Sequence, residues 1–173
     1  MKYKFQNQKY AFTVCRIEPE NNIHLILEAF ASDAPFPVVA VGNYENGEFG
    51  RRLREKYQNN PDIFMLDPIY DTLKLNELRS HCTVYLHGHS CGGTNPSLVE
   101  AMYLALPIIA FDVNFNRETT ENQAFYFSSS SELNTLCSTL SREELQETAH
   151  NMKTIADRRY TWERISKLYA KLF

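Results

Sequence analysis

A chain of 173 residues, 43% of them hydrophobic and 23% charged, is long enough to bury the core of one globular domain without metal or disulfide staples. With 18 Lys and Arg against 21 Asp and Glu, the net charge of −3 argues against the diffuse basic footprint of a nucleic-acid-binding protein, so any anionic ligand has to be held locally. The four cysteines, Cys15, Cys82, Cys91 and Cys137, form no Cys-x-x-Cys pair, which argues against a zinc site or a disulfide framework and suits a reducing cytosol.

The opening stretch, Met1 to Tyr10, is polar; it does not read as a signal peptide and suits a linker entering the domain, 11–173, from one that precedes it. No run reaches the roughly 18–20 apolar residues of a membrane span. Short apolar runs then alternate with segments of helical period: Ala11–Ile17 and Ile23–Ala31; Pro37–Gly42 and Gly47–Gln58; Ile63–Leu66 and Asp71–Ser80; Thr83–Leu86 and Pro96–Leu104; then Pro107–Phe111. Runs apolar on both faces, each separated by a helix, predict an α/β domain: a Rossmann-like parallel sheet with helices on both faces. Asn95-Pro96 supplies a capping side chain and a first-turn proline for the helix that follows. After Ala124–Phe127 and a Ser-rich capping loop, three C-terminal helical segments are expected: Glu132–Leu140, Arg142–Ala156 and Thr161–Phe173.

Open α/β sheets bind ligands at the carboxyl ends of their strands. The residues just past each apolar run are therefore candidates: Arg16 and Glu18, Gly42 and Asn43, Asp67 to Tyr70, His87 to Asn95, and Asp112 to Glu118. In the segment from His87 to Pro96, adjacent Gly92 and Gly93 let the backbone approach a ligand, and the helix start that follows is a seat for phosphate. The bland reading is a Gly-rich turn that only closes a connection. His87 and His89 flank a glycine, but no third ligand stands at metal-like spacing, and no metal site is expected. Glu100, in the second turn of that helix, is placed to accept from ribose hydroxyls or is a solvated helix glutamate. Arg16 offers a fork of donors to a diphosphate or pairs with Glu18 or Glu20. The cysteines read as small core residues.

The runs Cys15-Arg16-Ile17-Glu18-Pro19-Glu20, Leu25 to Phe30, Val41-Gly42, Pro96 to Met102 and Leu106 to Ala110 resemble the donor domain of family 4 glycosyltransferases of the GT-B architecture. Gly92 to Met102 and Asn116-Arg117-Glu118-Thr119-Thr120 are similar to a bacterial subgroup that includes rhamnosyltransferases of surface-polysaccharide assembly. The resemblance implies that this is the C-terminal half of a two-domain enzyme, inactive alone. It transfers a hexose or deoxyhexose with retention from a nucleoside-diphosphate sugar to a surface glycan or lipid-linked saccharide. It needs no metal or other cofactor and works in the cytoplasm, at the inner face of the membrane. The acceptor belongs to an N-terminal half.

By position, Arg16 then holds the diphosphate and acts in catalysis with His89. Gly42 and Asn43 line the nucleotide pocket, Pro68 and Ile69 face the base, and Glu100 binds the ribose. Gly92, Gly93, Thr94, Asn95, Ser97 and Leu98 surround the donor. The resembling pattern has two glutamates separated by seven residues; here Gly92 stands where the first belongs, leaving the sugar contact to His89 or Asn95. Asn21 replaces the usual Lys five positions after the Arg, so the helix N-terminus carries more of the diphosphate charge. A sugar-nucleotide 2-epimerase of the same fold and a non-catalytic nucleotide-binding module are the alternatives. The last helix, with Trp162, Ile165, Leu168, Tyr169, Leu172 and Phe173 at helical spacing, is expected to leave its apolar face under-buried.

Overall fold

The computed structural model describes residues 3, 5, 8–31 and 33–171. Six parallel strands, β1 (Ala11–Val14), β2 (Val38–Val41), β3 (Ile63–Leu66), β4 (Val84–His87), β5 (Ile108–Phe111) and β6 (Phe125–Phe127), form one sheet in the order β3-β2-β1-β4-β5-β6. The pleat sends alternate residues to opposite faces. Ala11, Val38, Ala40, Val84, Leu86 and Ile109 enter one core; Phe12, Val39, Val41, Tyr85, Ile108 and Ala110 enter the other. Helices α1 (Ile23–Ala29), α2 (Glu48–Tyr57) and α6 (Ser130–Thr139) cover the first, and α3 (Thr72–Ser80), α4 (Pro96–Tyr103) and α7 (Arg142–Arg159) the second. The expected doubly covered parallel sheet is present. Ile23, Ile26 and Leu27 of α1 are fully buried, each contributing about 1.5–3 kcal/mol.

Several boundaries differ from the sequence pattern. β1 stops at Val14, short of Ile17, because the Arg16 carbonyl turns away to accept from the Glu18 amide (3.0 Å) and the Asn21 side chain (2.7 Å). A short helix, α5 (Asn114–Thr119), and a sixth strand, β6, follow β5. The run Asn-Phe-Asn-Arg-Glu-Thr has no apolar period to announce α5; the Asn116 side chain fixes it by donating to the carbonyls of Phe111 (2.9 Å) and His89 (3.0 Å).

Ser141 and Glu144 form a capping box for α7, which runs beyond Ala156 to Arg159. The final helix, α8 (Trp162–Tyr169), is capped by Thr161, whose hydroxyl accepts from the Arg164 amide. It buries none of its residues, as the spacing led us to expect: Trp162 is 86% exposed and Tyr169 64%. The expectation for Leu172 and Phe173 falls outside the described residues. No helix among the described residues is long and apolar enough to cross a membrane.

Candidate functional site

The strand order reverses between β1 and β4, so their outgoing loops diverge to opposite faces and leave a crevice at the carboxyl end of the sheet. Two reciprocal tethers join the loops across it. The Asn22 side chain donates to the Gly88 carbonyl (3.0 Å), and both the amide and the hydroxyl of Ser90 donate to the Glu20 carbonyl (2.8 Å each). Asn22 takes a left-handed conformation (φ 47°), which an asparagine tolerates better than most residues. Asn21, in the position where the resembling pattern has Lys, is buried and spends its side chain on the Arg16 carbonyl. It braces the loop and does not face a ligand.

Arg16 projects from this brace with its side chain 78% exposed, 3.4 Å from Glu18. The bland pairing with Glu18 is thus present, and most of the guanidinium still faces water. Beside it the His87 and His89 rings stack at 4.5 Å. Burial holds the His87 imidazole well below its usual pKa, with His89 adding to the effect. Neither ring nitrogen of His87 has a partner among the described residues. His89 is lowered first by burial and then by Arg16, while Glu20 pulls the other way. Both rings are therefore neutral at physiological pH.

Gly92 has φ 109°, a conformation that side chains rarely adopt, and Gly93 faces open space. The start of α4 does not offer its own amides as the sequence suggests. Pro96 has none, the Ser97 amide goes to Asn95 Oδ1 (3.0 Å), and those of Leu98 and Val99 go to the Asn95 carbonyl. The amides of Gly92, Gly93 and Thr94 carry no hydrogen bond among the described residues, so the open donors lie in the turn before the helix. Asn95 Oδ1, also taken by the Ser97 hydroxyl, is committed to capping. Thr94 is exposed, and its hydroxyl accepts from Thr119.

Leu98 is a correction: its side chain is fully buried in the core and its amide is engaged, so it presents nothing to the crevice. Gly42 is buried as well. A Cβ there would stand 2.6 Å from the Cys15 carbonyl oxygen, so its glycine is explained by packing against β1 rather than by an open pocket wall. Asn43 is exposed and accepts from the Glu45 amide. Pro68 and Ile69 are half-buried at the end of β3, with Ile69 packed on the second core. Glu100 is not merely solvated, for its Oε2 accepts from Arg79 at 2.6 Å. Cys91 is a second correction, exposed beside Gly92, whereas burial pushes the Cys15 and Cys137 thiols up to about 12. No cluster of three or more His, Cys, Asp or Glu able to hold a metal ion occurs among the described residues.

The family model described as Glycosyl transferases group 1 matches residues 2–159. The chain belongs to that family. Three solved structures share its fold. HepE from Anabaena, in complex with UDP-glucose, superposes with a TM-score of 0.81 at 19% identity, covering 96% of this chain and 48% of HepE. Sucrose-phosphate synthase from Thermosynechococcus elongatus gives 0.80 at 18% identity, covering 97% and 46%. The pneumococcal O-GlcNAc transferase GtfA, in complex with UDP and GlcNAc, gives 0.72 at 18%, covering 94% and 35%. The chain thus spans about half the length of HepE and of the synthase. Comparison with curated proteins found no match.

In this group 1 glycosyltransferase domain, sequence reasoning missed Asn22 and Arg79, and it held Ser90 and Asn116 only inside candidate ranges, without their tethering roles. Arg79 left a signal, standing four residues after Leu75 and next to Leu78 on the side of its helix that faces the core. The other three act through backbone carbonyls distant in sequence, which no local pattern announces.

Proposed function

We propose that the chain is the nucleotide-sugar-binding half of a two-domain, retaining GT-B glycosyltransferase. What supports this reading is the crevice between β1 and β4, whose two loops carry Arg16, His89 and the amides of Gly92, Gly93 and Thr94, which make no hydrogen bond among the described residues. The donor's diphosphate lies over those amides at the positive end of the α4 dipole, with the Arg16 fork on its oxygens. As the glycosidic bond ionises, charge builds on the leaving diphosphate, and these fixed donors stabilise it. His89, neutral and half-buried, offers a ring nitrogen to the sugar in place of the missing glutamate. The base rests against Pro68 and Ile69, and Glu100 takes the ribose.

The UDP-glucose bound to HepE and the UDP and GlcNAc bound to GtfA support a nucleoside-diphosphate sugar as the ligand. The resemblance at Gly92 to Met102 supports a hexose or deoxyhexose as the transferred group and a bacterial surface glycan or lipid-linked saccharide as acceptor. That acceptor is held by an N-terminal half, and transfer takes place at the inner face of the membrane. No cofactor besides the donor is required.

A thermal-shift panel of nucleoside diphosphates and their sugars tests the reading. A ligand present at a hundred times its Kd stabilises the native state by about 2.7 kcal/mol. The expected result is a raised melting temperature with at least one diphosphate and none with the bare sugar. No shift at millimolar ligand would sink the proposal.

A further inference from the structure

Arg79, in the last turn of α3, is 2% exposed. A guanidinium cannot shed its proton, so burying it requires a carboxylate and acceptors around it. Its Nη1 donates to Glu100 Oε2 at 2.6 Å and lies 3.5 Å from Asn76 Oδ1, while Nε has no partner among the described residues. Glu100 is the open member of the pair: its side chain is 57% exposed, and Oε1 makes no hydrogen bond among the described residues. Together they line a cleft of about 260 Å³ between α3 and α4, with Thr72, Leu75 and Tyr103 around them.

An ordinary surface ion pair has both heads in water and holds neither in place. Here the cation is fixed in the protein and the anion alone reaches solvent. One carboxylate oxygen is clamped and the other is presented. A glutamate free on a helix surface would lose rotamer freedom on binding a hydroxyl, whereas a clamped one has already lost it.

We propose that Arg79 is a positioning residue that fixes Glu100 to accept the ribose hydroxyls of a nucleoside diphosphate. The inference rests on the nucleotide reading of the crevice. α3 begins just after Pro68 and Ile69, and α4 just after the Gly92–Gly93 turn. A nucleotide with its base at the first loop and its diphosphate at the second carries its ribose across the groove between the two helices, where Glu100 stands.

Calorimetry with UDP and dTDP, each beside its 3′-deoxy counterpart, tests this in the wild type, Arg79→Met, Arg79→Lys, Glu100→Gln and the Arg79→Lys/Glu100→Gln double variant. The wild type should prefer the hydroxylated member of the better-bound pair by about tenfold, the effect of one hydrogen bond to a charged group. Both Arg79 variants should bring that ratio toward one, as Glu100→Gln does, and Arg79→Lys should add nothing in the Glu100→Gln background. If Arg79→Met does not fold, Arg79→Lys, which keeps the charge but lacks the fork, gives the ratio. Arg79 variants that weaken both ligands equally and keep the wild-type ratio would show a purely structural residue and overturn the inference. So would a wild type that binds a diphosphate without any preference, though the donor reading would stand. A wild type that binds neither diphosphate overturns the donor reading, and this inference with it.

Discussion

Gly88 lies so close to Asn21 that a Cβ added to it would stand 2.2 Å from the Asn21 carbonyl oxygen. The obstacle is backbone, braced by the tethers from Asn22 and Ser90 on either side, and cannot swing away as a side chain would. The loops after β1 and β4 are therefore one interlocked unit.

Gly88→Ala has to force that unit apart. The expected cost is about 1–3 kcal/mol of stability, the range for overpacking, with weakened nucleotide binding from the parted loops. Urea unfolding and calorimetry on the same variant measure the two effects. A wild-type midpoint would mean that the contact yields freely.

Arg16→Ala touches nothing buried. Its stability should stay within about 0.5 kcal/mol of wild type. Nucleoside-diphosphate affinity should fall by about 1.5–3 kcal/mol, the contribution of charge-assisted hydrogen bonds. Unchanged affinity in a titration would remove Arg16 from the site.

His87 predicts an acid-sensitive fold. Its folded pKa is depressed by burial and by His89, so the unfolded chain binds the proton first as pH falls below about 6.5. The unfolded state is then favoured. Stability is full above that pH and declines below it, by up to about 1.4 kcal/mol per pH unit for one such proton. His87→Phe, which keeps a ring against His89 and removes both unpartnered nitrogens, should raise the melting temperature and flatten its slope between about pH 7 and 5. A slope equal to wild type would assign the acid sensitivity to other groups.

Trp162 is the only tryptophan in the sequence and is 86% exposed. Its fluorescence should be that of an indole in water and should be quenched by iodide. If α8 pairs with a second copy at high concentration, the emission shifts to the blue on concentrating the protein, and deletion of residues 161–173 abolishes the accompanying self-association. A blue-shifted, unquenched emission at low concentration would show the helix packed down on its own domain.

Cys91 should be the one thiol that a disulfide reagent labels rapidly in the native protein. Cys15 is half-buried, Cys82 and Cys137 are buried, and desolvation raises all three thiols. A nucleoside diphosphate over the Gly92–Gly93 turn should slow that labelling. Equal rates with and without ligand would place the ligand elsewhere.

The sheet was legible because each strand is apolar on both faces, so the runs from Ala11 to Phe111 stand out against polar connections. The Asn95 cap was legible for a similar reason, being local in sequence. What escaped was non-local. The reach of Asn22 to Gly88 spans 66 residues and that of Arg79 to Glu100 spans 21. Leu98 was misplaced because a residue's position in a ligand-side motif does not say which way its side chain points on the helix. The committed amides of α4 were hidden by the same proline and asparagine that marked its start.

The conformation of Gly92 bears on how this chain can change. At φ 109° the backbone occupies a region nearly closed to any residue with a side chain, so a glutamate cannot be installed there by one codon change without strain. The turn itself would have to be rebuilt, and with it the unbonded amides of Gly92, Gly93 and Thr94. Introducing the two-glutamate pattern is thus an epistatic path: the first step disturbs the turn before the second can supply a replacement. Any sequence that keeps this turn is held to glycine at position 92 by stereochemistry.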